Sequence, residues 1–171
     1  MNKKTYKICI LALLLTLSIM LSYIEFLLPI NLGIPGIKLG LSNLLTLLIL
    51  YTIGEKEAIL VTLLRVLIMG ILFTGINMML YSLSGAAISL VVMIFLYHTR
   101  LFKMQTISVF SAIFHNIGQI LLALYIFKSI GVIYYLPVLV ISGSIAGIVI
   151  GMLSQVVYIR VHHYIEKVLY E

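Results

Sequence analysis

Three polar side chains, His115, Asn116 and Gln119, lie close together in a part of the chain that is otherwise apolar. Residues three and four positions apart share one face of a helix, so all three can point into the same space. An imidazole and two amides can orient a small molecule by hydrogen bonding, and polar groups at membrane depth normally face a bundle interior or a watery cavity. They can also hold helices together, at about 1 kcal/mol each. The trio therefore predicts a binding pocket or, as the alternative, interhelical hydrogen bonds.

Arg65 lies inside an apolar stretch, where an arginine costs about 2.5–3.5 kcal/mol to insert. Glu25 is the candidate partner because it is the one carboxylate within an apolar stretch, and this predicts a structural Glu25–Arg65 ion pair. Glu25 lies closer to the outer face, so the pair would need the long arginine side chain; carbonyl groups are the other structural partners. In the functional interpretation, Arg65 forms the floor of a pocket for an anionic ligand, because guanidinium binds carboxylate or phosphate in a fork geometry.

The segment from Pro29 to Gly40 contains two prolines and three glycines, which stop helices. Irregular backbone of this kind is tolerated at membrane depth only where it lines a cavity or is packed in protein. Lys38 and Asn43 lie at or just after its end, and both are predicted to meet the ligand. Lys38 can equally be an ordinary lysine at the membrane interface.

The elements that must position these residues are membrane helices, because 63% of the residues are hydrophobic and 9% are charged. A bilayer core of about 30 Å needs roughly 20 apolar residues per helix, so six crossings use nearly the whole chain. The sequence predicts an all-α polytopic membrane protein made of a single six-helix transmembrane domain spanning residues 1–171. The helices are predicted over about 5–28, 39–53, 56–73, 76–97, 104–127 and 134–160.

Basic residues mark the side of the membrane on which each break between helices lies. Eight of the 11 lysines and arginines fall at every second break. Because basic residues stay on the cytoplasmic side, this pattern predicts that both termini are cytoplasmic, in a multi-pass protein of the bacterial cytoplasmic membrane. The eight residues are Lys3, Lys4, Lys7, Lys56, Arg100, Lys103, Arg160 and Lys167. The net charge of +6 is thus interpreted as orientation in a lipid bilayer and not as a signal for nucleic acid.

Small residues at a spacing of four recur in the last and the first predicted helices. Gly143, Gly147 and Gly151 form one such series, and Ala12 and Thr16 form a shorter one. Small residues let helices approach closely, which predicts packing inside the bundle or, as the alternative, a contact with another subunit.

Several runs of the sequence resemble a bacterial family known as the Gx transporter family or as heptaprenyl diphosphate synthase component I. The runs are Leu21-Ser-Tyr-Ile-Glu25, Pro35-Gly-Ile-Lys-Leu-Gly-Leu-Ser-Asn43, Leu63-Leu-Arg65, Tyr81-Ser-Leu-Ser-Gly-Ala86, His115-Asn-Ile-Gly-Gln119 and Tyr134-Tyr-Leu-Pro137. The resemblance covers nearly the whole chain. In size, topology and first loop, that family is similar to the substrate-binding S components of energy-coupling factor (ECF) transporters.

This resemblance implies a six-helix subunit that captures a small, vitamin-like or cofactor-like molecule from outside the cell. Its partners would be a transmembrane coupling subunit and two cytoplasmic ATPases. S components contact the coupling subunit through small residues of helix 1, often Ala-x-x-x-Ala, which here corresponds to Ala12 and Thr16 and departs from that pattern.

The synthase name conflicts with the composition. Prenyl chain elongation needs clusters of aspartates to hold magnesium, and all five acidic residues of this chain are glutamates, scattered along it. With no P-loop sequence either, we expect no catalytic residues, no metal site, no cofactor and no direct use of ATP. The alternative function is a non-catalytic membrane accessory protein in isoprenoid or quinone metabolism, or in quinone-linked electron transfer.

Overall fold

A computed structural model of the chain describes residues 3–27 and 40–170, without the side chains of Lys3 and of residues 166–170. The described residues form six α-helices and contain no strand. The helices are α1 (Lys3–Leu27), α2 (Asn43–Thr52), α3 (Glu55–Met69), α4 (Gly75–Thr99), α5 (Met104–Phe127) and α6 (Leu136–Tyr170). The all-α prediction is confirmed for this part of the chain.

Helix α2 is short and deeply buried. Its 10 residues rise about 15 Å, which is half the thickness of a bilayer core. All side chains from Leu45 to Leu50 are buried, so α2 is surrounded by the other helices. It begins at Asn43, after a turn at Gly40, whereas the sequence predicted a helix from residue 39. The helix-breaking residues before Asn43 explain the later start.

Helices α3 and α4 form an antiparallel hairpin. A π-helical turn, Gly70–Thr74, extends α3, and Gly75 with φ +79° ends it. The His98 ring lies 2.9 Å from the Glu55 carboxylate, so the end of α4 lies beside the start of α3. Gly70 allows α4 to pack closely against the end of α3, because a Cβ atom at this position would lie 2.3 Å from Met79 Cγ.

Left-handed residues end two of the longer helices. Arg100 (φ 54°) follows α4, and Lys128 (φ 49°) follows α5 before a 3-10 turn over Ile130–Tyr135. The last helix, α6, has 35 residues, whereas the range predicted for it, 134–160, has 27. At 35 residues it is about 52 Å long. It exceeds the thickness of a bilayer core, so one end must extend past the apolar layer.

The start of α1 and the C-terminal half of α6 lie at the same end of the bundle, which we call the tyrosine end because Tyr51, Tyr97 and Tyr158 meet there. The centroid of the Tyr51 ring lies 4.9 Å from that of Tyr97 and 5.8 Å from that of Tyr158. These rings come from the end of α2, the end of α4 and the C-terminal half of α6. At the same end, Lys7 of α1 forms an ion pair with Glu57 of α3.

The two halves of the bundle differ in polarity. The apolar core lies toward the tyrosine end, where Leu47, Ile49, Met93 and Ile107 are each no more than 1% exposed. The opposite half contains a polar cavity. Apolar side chains are thus closely packed toward the tyrosine end, and a polar cavity lies in the other half of the bundle.

Four helical stretches of the described residues are long and apolar enough to cross a membrane: Lys4–Leu27, Glu55–Thr99, Met104–Phe127 and Ile130–Ile165. Large apolar side chains cover their outer faces, which is the surface that a bilayer solvates. We conclude that this is a helical membrane protein. The six crossings stay a prediction, because α2 is too short to cross a bilayer alone. The cytoplasmic position of the termini also stays a prediction.

Candidate ligand-binding site

A cavity of about 50 Å³ lies in the polar half of the bundle, and all six helices contribute to its wall. Its polar lining side chains are Ser22, Glu25, Ser42, Asn43, Arg65, Thr74, Ser82, Ser108, Ser111, His115 and Asn116. Polar residues from helices that are distant in the sequence therefore converge on one space. Of the predicted ligand-binding residues, the structure brings together Asn43, Arg65, His115 and Asn116.

Arg65 of α3 lies at the wall of this cavity, and its charged guanidinium is costly to bury. Its side chain is 8% exposed, and its Nη1 atom donates hydrogen bonds to the hydroxyl oxygens of Ser22, at 3.1 Å, and Ser42. These two serines come from α1 and from the turn before α2. The Nε–H group is buried and has no hydrogen-bond partner among the described residues. A buried donor of this kind is costly.

Glu25 lies at the same cavity and accepts a hydrogen bond from the backbone. Its Oε1 atom accepts the N–H of Gly40, and the carboxylate is 8% exposed. Glu25 is near enough to attract Arg65 electrostatically, whereas the direct contacts of Arg65 are with serine hydroxyls. The structural Glu25–Arg65 ion pair stays a prediction; the two side chains also make hydrogen bonds to other partners at one wall of the cavity.

The turn at Gly40 needs glycine for two reasons. Its φ angle is +72°, and a Cβ atom there would lie 3.2 Å from the side-chain nitrogen of Asn43. The Glu25 bond to this residue joins the end of α1 to the start of α2. Lys38, which was predicted to meet the ligand, lies outside the described residues.

The three polar residues of α5 have different roles. His115 lines the cavity, and the amide nitrogen of Gln119 lies 3.3 Å from its Nε2 atom. This distance allows a hydrogen bond between the two side chains, whose direction depends on the tautomer of the ring. Gln119 is buried behind the ring and is not part of the cavity wall. It orients His115.

Asn116 joins α5 to the first turn of α6. Its Nδ2 atom donates to the carbonyl oxygen of Leu139 at 2.7 Å, and the side chain is 7% exposed. Gly143 makes room for it, since a Cβ atom there would lie 2.7 Å from Asn116 Nδ2. Asn116 therefore forms an interhelical hydrogen bond and also lines the cavity. It fits both interpretations of the trio, helix packing and a pocket.

Close packing of α4 against α5 fixes the position of His115. A Cβ atom on Gly85 would lie 2.8 Å from His115 Nε2, and one on Gly118 would lie 2.7 Å from the Ser84 carbonyl oxygen. The Ser84 hydroxyl also donates to the Gly118 carbonyl at 2.7 Å. Glycines at the crossing thus allow the His115 ring and the backbones of α4 and α5 to approach closely.

The glycine series of α6 faces α5. A Cβ atom on Gly147 would lie 2.6 Å from Val109 Cα, and one on Gly151 would lie 2.7 Å from Gln105 Cα. Both contacts are with backbone atoms of the same chain, so these glycines pack inside the bundle. Ala12 and Thr16 of α1 are exposed instead, and the Thr16 hydroxyl donates to the Ala12 carbonyl at 2.8 Å.

Ser22, Ser108 and Ser111 line the cavity but were not predicted as site residues. Ser22 lies three positions before Glu25, and Ser111 and Ser108 lie one and two helical turns before His115 on α5. This helical spacing was the available signal. Serine at such positions is also common in interhelical packing: the Ser111 hydroxyl lies 2.8 Å from that of Ser89.

Metal binding has no basis in the described part of the chain, where no group of three or more His, Cys, Asp or Glu side chains lies together. The site is a small polar chamber lined by one buried guanidinium, one carboxylate, several hydroxyls, an imidazole and two amides. Its chemistry suits recognition of a polar or anionic group by hydrogen bonds.

The fold and the cavity define a helical membrane protein with a polar cavity between its helices. A family model described as heptaprenyl diphosphate synthase component I matches residues 14–157. The chain belongs to this family, whose name describes one component of a complex. Comparison with curated proteins and with solved structures gave no match.

Proposed function

We propose that this protein is a ligand-capture subunit of the bacterial cytoplasmic membrane, similar to the S components of ECF transporters, for a small and anionic cofactor-like molecule. The observation that carries the proposal is the buried guanidinium of Arg65 at the wall of a polar cavity, with its Nε–H group unsatisfied within the described residues. A purely structural arginine would be expected to satisfy all its donors in the protein.

The predicted roles follow from the geometry of the cavity. Arg65 and the serine hydroxyls would bind the anionic group, and Asn43 would contribute from the first turn of α2, where the helix dipole favours an anion. His115 and Asn116 would orient the remainder by hydrogen bonds. Lys38 remains a proposed contact from the segment outside the described residues.

The proposed partners are the lipid bilayer, a transmembrane coupling subunit and two cytoplasmic ATPases. The exposed pair Ala12 and Thr16 supports a contact with a coupling subunit, because small side chains on an outer helix face allow another helix to approach. The protein itself would not be an enzyme, and a membrane position with both termini in the cytoplasm is part of the proposal.

The test is ligand retention. Native mass spectrometry of detergent-purified protein should show a bound small molecule, and Arg65→Ala and His115→Ala should each reduce its retention at least tenfold. Phe95→Ala is the matched control, since this ring is 67% exposed on the outside of α4 and should not affect retention. Full retention in both cavity variants would refute the site assignment.

The second candidate function is that of a non-catalytic accessory protein in isoprenoid or quinone metabolism. The family description favours it. Co-purification separates the two candidates: ATPases with a coupling protein support transport, and a prenyl synthase subunit supports the accessory role.

A further inference from the structure

We propose that the cavity binds an amphiphile, with its anionic headgroup at Arg65 and its apolar chain leaving sideways between α1 and the π-helical turn into the lipid. This inference rests on the proposed function of the cavity as a binding site. It adds the chemical class of the ligand and the route by which part of that ligand leaves the protein interior.

The volume of the cavity limits what it can enclose. A cavity needs about 10–15 Å³ to hold one water molecule, so about 50 Å³ has room for a few waters or for one carboxylate or phosphate group. Pockets that enclose a whole cofactor-sized ligand measure roughly 300–1,000 Å³. The headgroup therefore fits inside, and the rest of a larger ligand must lie elsewhere.

The wall beside Arg65 changes from polar to apolar. Phe26, Val66 and Met69 line the cavity there. Phe26 is also 46% exposed on the outside of the bundle, so a single ring borders both the cavity and the lipid-facing surface. An apolar chain attached to a headgroup at Arg65 would reach lipid by the shortest path past Phe26.

Aromatic rings continue this path on the outer surface. The Tyr23 ring centroid lies 4.7 Å from that of Phe73 and 6.4 Å from that of Phe26. Tyr23 and Phe26 belong to α1, and Phe73 belongs to the π-helical turn, so the rings extend across the boundary between the two elements. All three are at least 36% exposed. They form an apolar surface against which an alkyl or isoprenoid chain can pack.

The π-helical turn itself supports a functional boundary. Such turns are rare in proteins, and many of those that occur lie at functional sites. Here Thr74 lines the cavity and its hydroxyl donates to the Met69 carbonyl at 3.3 Å, while the neighbouring Phe73 is exposed. Met69 at the end of α3 and Thr74 in the turn thus line the cavity, while Phe73 of the same turn is exposed.

The experiment uses the absence of tryptophan from the sequence. Tyr23→Trp creates a single fluorescent reporter at the proposed exit, and Ile145→Trp creates a control, because Ile145 is 62% exposed on α6 near the cavity-lining Gly143. Each variant is placed in nanodiscs of saturated phosphatidylcholine. The quencher is 12-bromododecyl phosphate, which has both an anionic head and an apolar chain.

We expect saturable quenching of the reporter at position 23, and only weak, linear quenching of the control. Adding Arg65→Met to the reporter should raise the half-saturating concentration at least tenfold, and 12-bromododecanol, which lacks the charge, should not saturate. Equal and linear quenching at both positions would overturn the inference.

Inorganic phosphate separates failure of this inference from failure of the proposed function. Suppose that phosphate binds in an Arg65-dependent way, measured by calorimetry, and that quenching at position 23 does not saturate. This result would support the binding site at Arg65 and contradict the lateral exit of the apolar chain. If neither phosphate nor the bromododecyl probe shows a dependence on Arg65, both proposals are wrong.

Discussion

Replacement of Arg65 by methionine separates a binding role from a structural role. The two hydrogen bonds that Arg65 donates to Ser22 and Ser42 are worth about 1.5–3 kcal/mol each, because the donor is charged. Burying the guanidinium at membrane depth costs about 2.5–3.5 kcal/mol. The two contributions largely offset one another, so Arg65→Met should reduce the free energy of unfolding by no more than about 3 kcal/mol, since methionine fills a similar apolar volume.

Ligand binding should respond much more strongly to the same change. A charged hydrogen bond to the ligand, at about 1.5–3 kcal/mol, corresponds to a loss of affinity of roughly 10- to 150-fold. The assay compares unfolding in mixed micelles with titrated dodecyl sulfate and ligand retention in the same preparation. Arg65→Lys is the matched variant, because it keeps the charge and loses the fork geometry. A loss of stability well above 3 kcal/mol with unchanged retention would show that Arg65 is structural, and the reasoning would be refuted.

Three further predictions concern packing and topology. Gly147→Val should lower the free energy of unfolding by about 1–3 kcal/mol, because the added atoms would clash with the α5 backbone. The control Ile148→Val, on the exposed face of α6, should change it by less than about 0.5 kcal/mol. Thermal unfolding in detergent measures both variants. Ser89→Ala should destabilise by about 0.6–1 kcal/mol and Ser89→Ala/Ser111→Ala by little more, measured by the same unfolding assay, since the two hydroxyls satisfy each other; additive losses would contradict this pairing. In a cysteine-free background, Lys103→Cys should react with a membrane-impermeant maleimide only in inverted vesicles, and labelling of intact cells would reverse the proposed orientation.

The helices could be located from the sequence because each is a long apolar run. The predicted ranges for α4 and α5, 76–97 and 104–127, differ from the observed bounds by no more than two residues at either end. The start of α2 and the end of α6 were less well predicted. Hydropathy does not mark where a turn at Gly40 becomes a helix, nor where a helix continues past the bilayer with polar residues such as His162.

The members of the site were partly predictable, and their partners were not. Arg65 and His115 are costly in an apolar stretch, so their type alone marks them as candidates. Serine carries no such mark, because it is common in helix packing, and Ser22 was omitted for that reason. The position of Gln119 behind His115 and the bond of Glu25 to the Gly40 backbone depend on the rotation of α5 and on the path of the chain before α2. Neither can be obtained from spacing.

Glu25 and Arg65 place opposite charges at one wall of the cavity. The Glu25 carboxylate accepts the Gly40 N–H, and the Arg65 guanidinium donates to the hydroxyls of Ser22 and Ser42. Glu25 is also near enough to attract Arg65 electrostatically, so an anionic probe at Arg65 would compete with this carboxylate. Glu25→Gln should therefore strengthen binding of an anionic probe at Arg65, because it removes a competing negative charge and keeps an acceptor for Gly40. Weaker binding in this variant, measured by calorimetry with inorganic phosphate, would show that Glu25 itself takes part in recognition.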